Sequence, residues 1–209
     1  MQTVLVSGKN GQLGSELLSI SMSYPQFRFI FLGKDVLDLA SQTSIRSAFE
    51  QYEPDYFINC GAYTLVDKAE TERDIAEKIN GVNVGYIAQL CRQCNATLIH
   101  ISTDYVFDGN SKHPYKTDDE MHPVNYYGQT KLLGEELALK ENDKTIVIRT
   151  AWVYSSFGKN FIKTMLRLMN ERDEISVVND QLGTPTYARD LATVICDIVS
   201  NDEKKYGIY

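Results

Sequence analysis

The chain has 209 residues, enough for one substantial core with a small appendage. Its 43% apolar and 23% charged residues exclude a disordered chain, and 28 acids against 21 bases argue against nucleic acid or an anionic membrane surface as a partner. No apolar run approaches membrane-spanning length, and Met1-Gln-Thr-Val-Leu-Val6 enters a strand without a basic leader, so a cytoplasmic location is expected.

Apolar runs alternate with amphipathic stretches along the whole chain. Thr3–Ser7 reads as a strand and Gly11–Ser19 as the helix after it; Arg28–Leu32 is a second strand. Thr43–Gln51 is a helix with Ile45, Ala48 and Phe49 on one face, and Tyr56–Asn59 is a third strand. A long helix over Ile75–Cys94 follows, with Ile79, Val82, Tyr86, Ile87, Leu90 and Cys91 at helical spacing. Ala96–Ser102 and Thr145–Thr150 are strands four and five, separated by a helix at Tyr126–Lys140. Phe161–Leu168 and Leu191–Val199 are later helices, with a strand at Ile175–Val178 between them. Tyr206–Tyr209 starts a further strand with nothing after it to pair with, so a longer parent protein is expected.

Strands apolar on both faces and alternating with helices imply an α/β fold, a doubly wound parallel sheet of Rossmann type, with expected strand order 3-2-1-4-5-6. The division expected is a cofactor-binding domain over 1–150, then a partial substrate-binding region with closing sheet elements over 151–209. The long aperiodic stretch Asp104–Asn125 lies at the carboxyl end of strand four, where such folds bind ligands. Cys91 and Cys94 form a C-x-x-C, but a helical setting without further ligands favours two thiols on a buried helix face over zinc or redox chemistry.

Gly8-Lys-Asn-Gly11-Gln-Leu-Gly14 joins the first strand to the first helix. Such a turn is tight, lets backbone approach a pyrophosphate, and aims a helix N-terminus at it. Gly8, Asn10, Gly11, Gln12, Leu13 and Gly14 are therefore candidate cofactor-binding residues. After the second strand the chain reads Leu32-Gly33-Lys34, with no acid to hold a ribose 2′-hydroxyl. Lys34 would meet a 2′-phosphate, which favours NADPH; a merely solvated lysine would leave NADH open.

Tyr127 and Lys131 are four residues apart, so they share one helix face about 6 Å apart along the axis. A neighbouring ammonium is expected to lower the phenol's pKa towards the working range. Thr103, with Ser102 as the lesser candidate, supplies a hydroxyl at the end of strand four beside the same space. The glycine turn, this hydroxyl and Tyr127/Lys131 occur in the chain order of a reductase.

These segments, with Asn59-Cys-Gly-Ala-Tyr-Thr-Leu-Val-Asp-Lys-Ala-Glu70, Arg149-Thr-Ala-Trp-Val-Tyr154 and Asn179-Asp-Gln-Leu-Gly-Thr-Pro-Thr186, resemble the dTDP-4-dehydrorhamnose reductases, extended short-chain enzymes, over essentially the whole chain. The resemblance implies NADPH-dependent reduction of the C4 ketone of dTDP-4-dehydro-6-deoxy-L-mannose, with Thr103, Tyr127 and Lys131 as the catalytic group. It implies that Asp38 and Leu39 contact adenine, that Gly61, Ala62 and Tyr63 line the cofactor, and that Lys131 also holds it. Asn80 would brace the central helix, and Val66, Asp104, Tyr105 and Trp152 would face the sugar of a dTDP-sugar substrate. Trp152 as a plain core residue stays open.

Some relatives join subunits through magnesium held by glutamates. Glu16 matches one such position, but Arg189 stands at the other, and a guanidinium cannot ligate a cation, so no metal is expected. A homodimer stays open. The alternatives are a nucleotide-sugar epimerase or dehydratase, and a non-catalytic NADP-binding regulatory protein. Tyr105, where a dehydratase would carry a glutamate, weakens the former, and the intact Thr103/Tyr127/Lys131 set weakens the latter.

Overall fold

Strands apolar on both sides are stable only between two layers of helix, and the computed structural model of the chain, which describes residues 1–209, has that arrangement. β1 (Gln2–Ser7) leads into α1 (Gln12–Ile20), followed by β2 (Phe27–Leu32), α2 (Gln42–Tyr52) and β3 (Tyr56–Asn59). A short α3 (Val66–Ala69) precedes a long helix made of α4 (Arg73–Glu77), a π-helical turn at Lys78–Val82 and α5 (Asn83–Gln93). β4 (Thr97–Thr103) and a long loop lead to α6 (Tyr126–Glu141) and β5 (Thr145–Thr150). The chain closes with β6 (Val153–Tyr154), α7 (Phe161–Glu171), β7 (Thr186–Tyr187), α8 (Ala188–Ser200) and β8 (Gly207–Ile208).

The main sheet is parallel, in the order β2-β1-β3-β4-β5-β8. This corrects the expected order: the third strand lies beside the first, not outside the second. Burial gives the reason. All four residues of β3 are buried, which requires a neighbour on each side, while β2 is half-exposed along its length and suits an edge. The switch in winding direction therefore falls between β1 and β3, where the turns after both strands meet.

Alternate residues face opposite sides of a strand, and the core divides accordingly. Leu5, Phe57 and Leu98 pack under α2, α5 and α6, while Val4, Val6, Ile58 and Ile99 pack under α1 and α8. Side chains that accept a backbone N–H start three of the helices: Ser41 bonds Ser44 N at 3.2 Å, Asn125 bonds Gly128 N at 2.7 Å, and Asn160 bonds Lys163 N at 3.0 Å.

Four further expectations need correction. Ile175–Val178 forms no strand, because it pairs with no partner; the free edge of β5 is taken by β8. Tyr206–Tyr209 does have something to pair with: Tyr209 N donates to Val147 O at 2.9 Å, and Arg149 N donates to Tyr209 O at 2.8 Å. Val82 is exposed rather than core-facing, since the π-helical turn adds a residue and rotates the face, burying Asn83 and Val84 instead. Cys94 is also exposed, at the end of α5, so of the C-x-x-C pair only Cys91 lies in the core.

Candidate active site

The site is built on the carboxyl edge of the sheet. Gly8 takes φ +73°, and a side chain there would meet the Gly61 backbone N at 2.7 Å, so the turns after β1 and β3 approach as closely as backbone allows. A Cβ on Gly14 would fall on the Gly8 carbonyl oxygen, which brings the start of α1 hard against the turn. The first turn of α1 has no side-chain cap, so its N–H groups face outward. Gly8, Asn10, Gly11, Gln12 and Leu13 line a cleft of about 740 Å³ that runs from here to Tyr127 and Lys131.

Of the other expected cofactor residues, Lys34, Asp38, Leu39, Gly61, Ala62 and Tyr63 also line this cleft. Gly14 does not; it acts through packing. The Asp38 carboxylate accepts the Ala40 N–H at 3.0 Å and so shapes the turn it stands in. Asn80, 1% exposed, accepts from Tyr63 N at 2.9 Å and donates to Tyr63 O at 3.0 Å and to Thr130 Oγ1 at 3.2 Å. It thereby ties the cleft wall to the π-helical turn and to α6. Gly134 makes this possible, because a side chain there would strike the Asn80 carbonyl oxygen.

Lys131 lines the cleft yet is only 2% exposed. Its ammonium nitrogen donates to the Ile101 carbonyl at 2.6 Å and lies 3.3 Å from His100 Nε2. Burial pulls it down to about 8, with the nearby Glu135 carboxylate acting in the opposite sense. Tyr127 lies edge-on to Tyr105, ring centres 5.7 Å apart. Here the structure corrects the expected electrostatics: burial pushes the phenol up to about 12, the Thr103 hydroxyl opposes this only in part, and Lys131 is turned to Ile101 and His100. Thr103 Oγ1 accepts the Tyr105 N–H at 3.2 Å and donates to Asp104 Oδ1 at 3.1 Å. Burial holds the Asp104 carboxyl above its usual range.

The expected sugar-facing residues stand apart from the cleft lining. Val66, Asp104, Tyr105 and Trp152 are not among its walls. Trp152 is 45% exposed, which excludes the plain core reading, and has φ +48°. Its indole lies on Gly183, where a Cβ would come within 2.7 Å of the ring, so the Trp152 and Asp180–Thr186 segments form one unit. The loop 104–125 is pinned from below by Arg149, which donates to Glu135 at 2.7 Å and 3.1 Å and to the Thr117 carbonyl at 3.2 Å. Glu16, 1% exposed, accepts from Ser155 Oγ at 2.5 Å and pairs with Arg189 at 3.6 Å.

Ser102, the lesser hydroxyl candidate, lines the cleft whereas Thr103 does not, and Thr150, Val153, Gly158 and Lys159 line it without having been singled out by residue type or spacing. The Val153–Asn160 segment reaches the glycine turn through Gln12, whose amide donates to Val153 O at 3.1 Å and accepts from Asn160 at 2.9 Å. Lys159 and Lys34 line the cleft in a chain of net charge −7, so positive charge is gathered locally. A glycine-built cradle, a helix N-terminus, lysines and a long cleft fit a phosphate-bearing dinucleotide.

A family model described as "RmlD substrate binding domain" matches residues 1–209. The chain is 42% identical over 209 residues to the spore coat polysaccharide biosynthesis protein SpsK of Bacillus subtilis, covering 100% of this chain and 72% of that protein. It is 39% identical over 213 residues to a dTDP-4-dehydrorhamnose reductase of Aggregatibacter actinomycetemcomitans, with the same coverage of 100% and 72%. A crystal structure of dTDP-4-dehydrorhamnose reductase from Bacillus anthracis in complex with NADP superposes with a TM-score of 0.94 at 38% identity, over 100% of this chain and 74% of that one.

Proposed function

The chain belongs to the RmlD substrate binding domain family, and on that premise we propose that it reduces the C4 ketone of dTDP-4-dehydro-6-deoxy-L-mannose, giving dTDP-L-rhamnose. It is an NAD(P)H-dependent oxidoreductase of the dTDP-rhamnose pathway. The observation that carries the reading is one continuous cleft joining the glycine turn to Tyr127 and Lys131. No helix is long and apolar enough to cross a membrane.

NADPH, when bound, supplies the hydride that adds to the carbonyl carbon. The backbone of Gly8–Leu13 would hold its pyrophosphate, Lys34 would meet its 2′-phosphate, Lys159 would add positive charge to the cleft, and Gly61, Ala62 and Tyr63 would form the wall. Lys131 offers the cleft the N–H that Ile101 and His100 leave free, and so positions a ribose hydroxyl. Thr103, whose hydroxyl proton goes to Asp104 in the cofactor-free chain, would turn that proton to the ketone oxygen, and Tyr127 would protonate it. A phenol pushed up to about 12 is fully protonated at neutral pH, so the proton is present when needed. The oxygen that receives it is far more basic, about as basic as hydroxide at roughly 16, so transfer is downhill without a lowered phenol pKa.

In this reading, residues 1–150 carry most of the cofactor site, while 151–209 add Val153, Gly158 and Lys159 to it, supply the Trp152 side of the sugar site and close the sheet with α8 and β8. Val66, Asp104, Tyr105 and Trp152 are assigned to the sugar. The decisive experiment supplies the purified chain with dTDP-4-keto-6-deoxy-L-mannose and NADPH and follows the reduced-nicotinamide absorbance. Oxidation that depends on Tyr127 is expected. If Tyr127→Phe and the parent chain behave identically, the assignment is wrong.

A further inference from the structure

Ser7, Asn59 and His100 stand in one row across the sheet, because Ser7 pairs with Asn59 and Asn59 with His100 in the strand register. Two residues earlier on the same strands are Leu5, Phe57 and Leu98, so the row points to the α5–α6 side of the core. All three are buried, at 1%, 1% and 0% exposure, and must satisfy one another. The Gly61 N–H donates to Ser7 Oγ at 3.2 Å, Ser7 donates to Asn59 Oδ1 at 2.7 Å, and Asn59 Nδ2 lies 3.2 Å from His100 Nδ1. His100 Nε2 then faces Lys131 Nζ at 3.3 Å.

The direction of these bonds has a chemical consequence. With its oxygen taken by Ser7, Asn59 donates to His100 Nδ1. A neutral imidazole carries one N–H, which is thereby placed on Nε2 and aimed at Lys131. An ammonium has no lone pair to accept it; a neutral amine has one. The Ile101 carbonyl accepts an N–H from Lys131 in either state.

We propose that His100 is a positioning residue, donating its Nε2–H to a neutral Lys131 in the cofactor-free chain in alkaline solution, and that binding of the anionic dinucleotide there draws one proton from solvent onto Lys131 and reverses the row. The inference rests on the reading of Lys131 as a cofactor-holding residue. The balance is one proton. The amine gains it, the imidazole keeps its single proton but carries it on Nδ1, and the Asn59 amide turns so that Oδ1 accepts from His100. Asn59 then donates to Ser7 Oγ, whose two lone pairs take both Asn59 and Gly61; the Ser7 O–H gives up Asn59 as its acceptor, a cost that the ammonium's bond to His100 offsets. Burial favours the neutral state of Lys131, and burial together with the Lys131 charge holds His100 well below the ordinary imidazole range.

The elements around Lys131 bring His100 from β4, Arg149 from β5, Asp104 and Tyr105 from the turn after β4, and Tyr127 and Glu135 from α6 itself. Glu77 of α4 is occupied by Tyr126 at 2.5 Å, and Glu135 is paired with Arg149 at 2.7 Å. Of these, Glu135 is the one that supports the lysine's charge, and it does so in both states.

Titration calorimetry of NADPH into the chain, in two buffers of different ionisation enthalpy, reads the proton directly. At pH 8.5 the cofactor phosphates are already ionised and contribute none. For a lysine titrating near about 8, uptake of ~0.7 proton is expected at pH 8.5 and below ~0.1 at pH 6.5. His100→Gln offers the ammonium an oxygen without a tautomer to oppose it, so uptake at pH 8.5 should fall below ~0.2. Ser7→Ala, a smaller change that frees the Asn59 amide to turn, should cut the uptake to about half. Undiminished uptake in both variants overturns the proposal, as does their weakening of NADPH binding with no change in uptake, the mark of a purely structural role. If the parent chain binds no NADPH even at pH 6.5, the cofactor reading falls and this inference with it.

Discussion

Asn80 and Tyr63 are joined at two points, the Asn80 oxygen accepting the Tyr63 N–H at 2.9 Å and its amide donating to the Tyr63 carbonyl at 3.0 Å. One side chain thus plays the part of a neighbouring strand for a loop that has none. Asn80→Ala leaves a buried N–H and C=O without partners, and a loss of about 2–3 kcal/mol is expected in urea unfolding. The Tyr63 wall should loosen with it, raising the Kd for NADPH about tenfold, a loss of about 1.4 kcal/mol of binding. An unchanged Kd would show that the wall holds its shape without Asn80.

Removing the phenol proton should separate chemistry from binding. Tyr127→Phe is expected to lower kcat by ~100-fold or more while the Kd for NADPH stays within a factor of about three. Steady-state kinetics beside a fluorescence titration gives both numbers. A fall in affinity with little change in kcat would make Tyr127 a binding residue.

Lys131 should leave a signature in stability against pH. Its folded value is about 8 against 10.5 for an ordinary lysine, so between these values the unfolded chain binds more protons and stability rises with pH. Below pH 8 the buried charge costs about 3 kcal/mol, and this cost is removed as pH passes 10.5. Lys131→Met lacks that dependence. The parent chain should therefore gain on the variant between pH 8 and pH 10 in urea titrations, and parallel curves would contradict the assignment.

Lys34 is exposed at the cleft rim, so its contact with a 2′-phosphate is screened and modest. Lys34→Ala is expected to weaken NADPH about tenfold and NADH less than about twofold. Equal effects on both cofactors would place Lys34 away from the 2′-phosphate.

Much of this was legible in the residue order because it is local. The glycine spacing after β1, the four-residue step from Tyr127 to Lys131, and the alternation that divides Leu5 from Val4 and Val6 are all set within one element and its turn. Strand order and partner choice were not. Whether β3 lies beside β1, or whether Tyr206–Tyr209 finds an edge, depends on which surfaces remain uncovered once every helix is packed. The same holds for Ile175–Val178, whose residues suit a strand but meet no partner.

By itself, the sequence determined a doubly wound parallel α/β fold, a phosphate-binding turn, and the pairing of a phenol with a lysine on one helix face. Only the tertiary structure decided the electrostatics of that pair. Lys131 is turned towards Ile101 and His100, burial raises Tyr127 to about 12, and Ser7, Asn59 and His100 line up from three strands far apart in the chain. The reason is physical: a side chain's protonation depends on its solvent exposure and on which dipoles surround it, and both are properties of the packed sheet rather than of any one segment.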